Sequence, residues 1–144
     1  MNDTKMRGRR RGFSVLELMV VLTVIGVLLA MSAPSYQRAT EQNQADIAAA
    51  NLQAIWAAQR FYWLENHTYS ATLAGLQDML DPSVSASAVP YVYSIQLIDS
   101  NTFKASATRT GSSIWGGQII IDQSGSASGV IQATGQRDIV PGFQ

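Results

Sequence analysis

Cysteine is absent from the 144-residue chain, so no disulfide, thiolate metal site or thiol nucleophile is available to it. Histidine is nearly absent. His67 stands alone in a polar stretch, which leaves no His-rich metal site and no histidine relay, and a surface position is expected for it. No phosphate-binding loop occurs, so any ATP-driven step must come from another protein. Charged residues are scarce, at 14% of the chain, and their formal sum is zero. That zero hides a division. Residues 1–12 hold Lys5, Arg7, Arg9, Arg10 and Arg11 against Asp3, a net +4; the remaining residues hold five basic and nine acidic side chains, a net −4. An acidic body is a poor match for a nonspecific polyanion binder, and no nucleic-acid partner is expected. Internal repeats are not evident.

What the chain does have is one long apolar run, from Phe13 to Ala33, directly after the basic cluster Arg9-Arg10-Arg11-Gly12. A helix of about 20 residues spans a hydrocarbon core of roughly 30 Å. The basic residues before the run keep its start cytoplasmic and send the C-terminal part outward. A secretory signal peptide is cut after its apolar region. Here the small residue before a plausible cut, Gly12, lies ahead of the run, and a cut between Gly12 and Phe13 would remove the charges and keep the helix. Glu17 is the only charge within the run. A membrane acid costs about 2.5–3.5 kcal/mol at the centre of a span and less near the interface. No Lys, Arg or His lies between Phe13 and Ser35 to pair with it. An ordinary anchor with a tolerated interfacial acid is the bland alternative.

The stretch Gly12-Phe13-Ser14-Val15-Leu16-Glu17-Leu18-Met19-Val20-Val21 resembles the N-terminal signature of type IV prepilins and of the related pseudopilins of type II secretion. The resemblance is strong over about residues 7 to 36 and architectural beyond. It implies cleavage after Gly12 by a membrane-embedded prepilin peptidase, N-methylation of Phe13, and an assembly role for Glu17, whose carboxylate would meet the amino terminus of a neighbouring subunit. Pro34 matches the family's proline that ends or bends the first helical segment. The implied fold is α+β and pilin-like: a long N-terminal helix, membrane-embedded in its first half, packed on a small antiparallel sheet of three or four strands. The implied parts are a cytoplasmic leader (1–12), a transmembrane and assembly helix (13–34) and a periplasmic or extracellular domain (35–144). The implied partners are other pilin or pseudopilin subunits, the peptidase, the lipid bilayer, and an inner-membrane assembly platform with a separate ATPase. No cofactor and no metal are implied. The lack of cysteine departs from many type IVa pilins, whose C-terminal region is closed by a disulfide.

Beyond the run, the residues themselves predict one helix and then a meander. Pro34 should kink or locally interrupt the helix. Helical character resumes near Tyr36, and Ala45, Ala48, Leu52, Ile55 and Trp56 recur at the spacing of a stripe that packs on a sheet. Gln37, Arg38, Glu41, Gln44 and Gln53 read as polar faces, and the pattern fades at Glu65-Asn66. Thr72 is placed to cap a short helix carrying Leu73, Leu76 and Leu80, ended by Asp81-Pro82, with a loop over Ser83–Ala88. Strands are expected at Tyr91–Leu97, around Phe103–Ala107, at Gln118–Asp122 and weakly near Val130-Ile131, with turns at Asp99–Asn101 and Ser124–Ser126.

Candidate chemistry is sparse. Trp115-Gly116-Gly117 reads as a turn with an aromatic anchor. Asp99, Asn101 and Asp122 are scattered oxygen donors without the Asp-Pro-Trp-Gly-type loop associated with calcium in major pseudopilins. Asn66-His67-Thr68 fits a glycosylation triplet of low specificity. Trp56, Phe61, Tyr62 and Trp63 read as core packing rather than a stacking platform, since only Arg60 interleaves with them. Gly26 and Ala30 form a small-xxx-small pair. The readings weighed are a structural filament subunit of a pilus-like or type II secretion machine, a minor tip subunit acting in adhesion or DNA uptake, and an anchored enzyme. The first is favoured: Lys104, Arg109 and Arg137 are too few for a binding patch, and no convergent polar constellation marks an enzyme.

Overall fold

A computed structural model describes residues 12–85 and 90–142, without the side chains of residues 31–34, 83 and 85. The basic leader before Gly12, the Pro34 side chain and residues 86–88 of the expected loop lie outside the described residues. The elements are α1 (Val15–Asn66), a 3₁₀ turn (Leu73–Leu76), α2 (Pro82–Ser85), β1 (Tyr91–Asp99), β2 (Thr102–Arg109), β3 (Trp115–Asp122) and β4 (Ala127–Ala133). The strands form one antiparallel sheet in the order β1-β2-β3-β4, a plain meander. The chain divides into two compact units after Arg38. The helix-then-meander arrangement expected of this sequence is the one observed.

The second unit contains the core. Ala45, Ala48, Leu52 and Ile55 of α1 are buried, as their spacing predicts, against Phe103, Ala105 and Ala107 of β2, Ile119 and Ile121 of β3, and Ile131 of β4. Along β2 the buried residues alternate with Lys104 and Thr108, the period of a half-buried strand. Trp56 is half-buried at the margin, where its indole N–H donates to the Gln123 carbonyl at 3.1 Å. Leu76, Leu80 and Val84 join the same core, and Thr72 caps the 3₁₀ turn by accepting from the Gly75 N–H. Fully burying a side chain the size of Leu52 or Ile55 is worth about 1.5–3 kcal/mol, so this stripe carries much of the unit's stability.

Several local expectations change. α1 is assigned without a break through Pro34, so the local interruption expected there is not seen; one missing donor leaves the hydrogen-bond ladder on either side in place. Trp115-Gly116-Gly117 is not a turn but the start of β3. Gly117 has φ +133 and Gly129 φ +123, and a Cβ on either would stand 2.3 Å from a carbonyl oxygen of the facing strand. The two glycines let β3 and β4 approach where a side chain could not fit. Pro82 does not end a helix but opens α2, with the Val84 N–H bonded to the Asp81 carbonyl at 2.9 Å. Proline suits a first helical position because its missing donor is not needed there.

Glu41 is no part of a polar face. It is 4% exposed, and Arg109 grips it with two bonds, Nε to Oε1 at 2.6 Å and Nη2 to Oε2 at 2.8 Å. Phe61 does not pack in the core; it is 63% exposed, while Trp56 and Tyr62 do pack there.

Candidate functional site

The N-terminal segment is built by the start of α1. Ser14 is the last non-helical residue, and its carbonyl accepts the first helical bond from the Leu18 N–H at 3.1 Å. Glu17 therefore stands at the third helical position, the only acid of the first turn, where the exposed N–H groups and the helix dipole favour a negative charge. Ser14 and Glu17 have the spacing of a capping box, a signal legible in the sequence and missed when Glu17 is read only as an odd charge in an apolar run.

Ahead of the helix, Gly12 and Phe13 lie outside any helix or strand and are exposed, and among the described residues nothing stands within 4 Å of where a Gly12 side chain would begin. Phe13 is 77% exposed. The bond between them lies ahead of the first described helix. Cutting it would create an α-amino group four residues before Glu17, on a chain whose apolar run has no basic side chain of its own.

From Val15 to Leu29 the helix shows apolar side chains on every face, Val15 at 78% and Leu29 at 66% exposure. Thr23 bends its hydroxyl back to the Met19 carbonyl at 2.8 Å, so it asks nothing of a partner. A helix hydrophobic all round belongs inside a bilayer or an assembly. By length and composition this one can cross a membrane. Gly26 has open space around it, which a neighbouring helix could use. Pro34 lies within α1.

The second unit is fixed to its part of α1 by polar clamps that sequence reasoning missed. Besides Glu41, Arg109 also donates to the Pro90 and Thr110 carbonyls, and its guanidinium sits 5.7 Å from the centre of the Tyr91 ring. The Tyr91 hydroxyl donates to Glu41 at 3.2 Å. Burial, reinforced by the Glu41 charge, pushes the Tyr91 phenol well above the ordinary tyrosine range, and the bond to Glu41 pushes Arg109 up. Gln59, fully buried, donates to the Ser70 carbonyl and accepts from the Ser70 N–H, both at 2.8 Å. Pairs separated by more than 60 residues, such as Glu41 with Arg109, leave no local trace in a sequence.

The remaining candidates serve local structure. Asp99 accepts from the Asn101 N–H at 2.8 Å, and Asp122 accepts from Ser124. These bonds hold both carboxyls below the usual carboxylate range. His67 is exposed, as expected, and ends α1 with φ 53, its N–H bonded to the Trp63 carbonyl. The Asn66 amide donates to the Tyr62 carbonyl.

Comparison with known proteins bears on the N-terminal segment most directly. Residues 7–33 match the family described as the prokaryotic N-terminal methylation motif. The chain is 33% identical over 70 residues to the type IV major pilin protein PilA of Myxococcus xanthus, covering 49% of this chain and 32% of that protein. It is 32% identical over 74 residues to the type II secretion system core protein G of Pseudomonas aeruginosa, covering 51% and 52%. It is 33% identical over 84 residues to the core protein G of Escherichia coli, covering 58% of each. The match thus spans between a third and three-fifths of these relatives' length. The chain carries the prokaryotic N-terminal methylation motif, and the proteins it is similar to include a type IV major pilin and type II secretion system core proteins G.

Proposed function

We propose that the protein is a structural subunit of a type IV pilus-like or type II secretion pseudopilus filament. Prepilin peptidase cuts it after Gly12, Phe13 is N-methylated, and subunits assemble through the N-terminal helix. The observation that carries this reading is the all-round exposure of apolar side chains from Val15 to Leu29, placed directly behind an accessible Gly12-Phe13 bond. In this reading residues 1–12 are the leader, 13–34 hold the chain in the inner membrane, and 35–144 stand outside the cytoplasm. The subunit waits in the bilayer until an assembly platform, driven by a separate ATPase, extracts it into the filament.

Glu17 sets the register of that assembly. Its carboxylate meets the amino terminus of Phe13 on a neighbouring subunit, which neutralises two charges that would otherwise remain in an apolar setting. The role is structural rather than enzymatic. The test is incorporation into filaments sheared from cells that carry a complete assembly system. Glu17→Ala is expected to be processed and to fail in assembly, and Glu17→Lys to do worse because two cations then meet. Wild-type incorporation of both variants would overturn the pairing.

A further inference from the structure

The half of α1 that packs on the sheet has a second apolar face. Ile47, Ala50, Ala54, Ala57, Phe61 and Leu64 recur at alternating steps of three and four, the spacing of a coiled-coil seam. The residues that meet the sheet, Ala45, Ala48, Leu52 and Ile55, fall on the opposite side of the helix at 100° per residue. Ile47, Phe61 and Leu64 are 53%, 63% and 66% exposed. Scattered apolar residues on a surface need no explanation, but a row in one heptad frame does.

The charges beside the row say what fits it. In a parallel, in-register pair, the residue before each first seam position faces a residue five places further on in the other copy. Arg60 then faces Glu65, twice by symmetry, while Asp46 is already held by the Gln42 amide and the Gly142 N–H, and Asn51 by the Tyr93 hydroxyl. No like charges meet. The alanines at the middle of the row allow close approach, with Ile47 at one end and Phe61 and Leu64 at the other. Parallel polarity is also what a shared membrane orientation imposes, and confinement to the bilayer raises the effective concentration of the partner.

We propose that this face docks a second copy of the chain, parallel and in register, so that subunits pair in the membrane before entering a filament. The inference rests on the filament-subunit reading for its orientation. It goes beyond that reading in assigning an in-register partner to the sheet-bearing half of α1.

The absence of cysteine gives a clean test. Full-length Ala54→Cys, Phe61→Cys and Ile98→Cys variants would be oxidised in inner membranes of cells that hold prepilin peptidase but no other filament proteins. A disulfide needs Cα atoms within about 4.4–6.8 Å, and only a parallel, in-register pair gives that to both Ala54 and Phe61, since an antiparallel or crossing pair brings a residue against its own copy at one point alone. Ala54→Cys and Phe61→Cys should form several-fold more dimer than Ile98→Cys, an exposed sheet position. Arg60→Glu should lower the Ala54→Cys dimer, and adding Glu65→Arg should restore it. Equal yields at Ala54 and Ile98, or a yield unmoved by Arg60→Glu, would overturn the proposal. Intact mass read on the same samples separates this failure from that of the function: chains beginning at Phe13 without dimers leave the filament reading standing.

Discussion

The two halves of α1 both carry apolar residues, which meet opposite fates. Before Arg38, leucine, valine and isoleucine lie exposed on every face; after it, Leu52 and Ile55 are fully buried and alanines fill the gaps. The difference lies in what surrounds the apolar residues. Polar residues such as Gln53 and Asp46 interrupt the second half and leave a stripe, which a sheet can cover. The first half has no polar face, and 52 residues of helix are more than one small sheet can cover. Apolar content alone therefore does not say where a helix belongs; its angular distribution does.

The contrast can be tested at positions chosen from each half. Phe103→Ala, which empties the centre of the sheet-bound core, should lower the unfolding free energy of the second unit by about 3–5 kcal/mol. Leu22→Ala, in the apolar half, should leave that unfolding unchanged. Denaturant unfolding of the full chain in detergent micelles, followed by tryptophan fluorescence, measures both. Equal losses would erase the distinction.

Arg109→Ala should cost about 3 kcal/mol or more in the same measurement, because it strands the buried Glu41 carboxylate. An Arg109→Met, Glu41→Leu double variant should recover much of the loss. Gly129→Ala should cost on the order of 1–3 kcal/mol, since the added carbon meets the Gln118 carbonyl and the backbone has positive φ.

The smallest effect concerns pH. The folded unit holds the Tyr91 proton more tightly than the unfolded chain does, so stability is fully present below the unfolded value near pH 10 and falls as pH rises beyond it. Tyr91→Phe should flatten that decline. Tyr93, also raised by burial, should sustain a weaker one.

Much of this was legible in the chain. The helical stripe at Ala45, Ala48, Leu52 and Ile55, the alternation around Phe103, Ala105 and Ala107, and the apolar run behind Gly12 all follow from periodicity, which local sequence records. What periodicity does not record is partnership. Glu41 looks like surface until Arg109, far along the chain, closes on it. Gln59 looks neutral until Ser70 needs both of its amide atoms. Trp115-Gly116-Gly117 looks like a turn because glycine marks turns and close strand contacts alike, and only β4, which sets Ile131 opposite Gly117, decides between them. Phe61 looks like core because aromatic residues cluster beside Trp56, yet the helix turns it to the opposite side. In the N-terminal segment the composition of the run was plain, whereas the Ser14–Glu17 capping spacing was overshadowed by the cost of an acid in an apolar setting.

A filament subunit of this kind must keep its apolar helix and lose its basic leader. Intact-mass and N-terminal analysis of the full-length protein, expressed with and without a prepilin peptidase, tests this directly. A chain beginning at Phe13 and heavier by about 14 Da for one methyl group, formed only when the peptidase is present, is the expected product. A chain that retains Met1 to Gly12 in the presence of the peptidase would contradict that requirement and leave α1 as a plain membrane anchor.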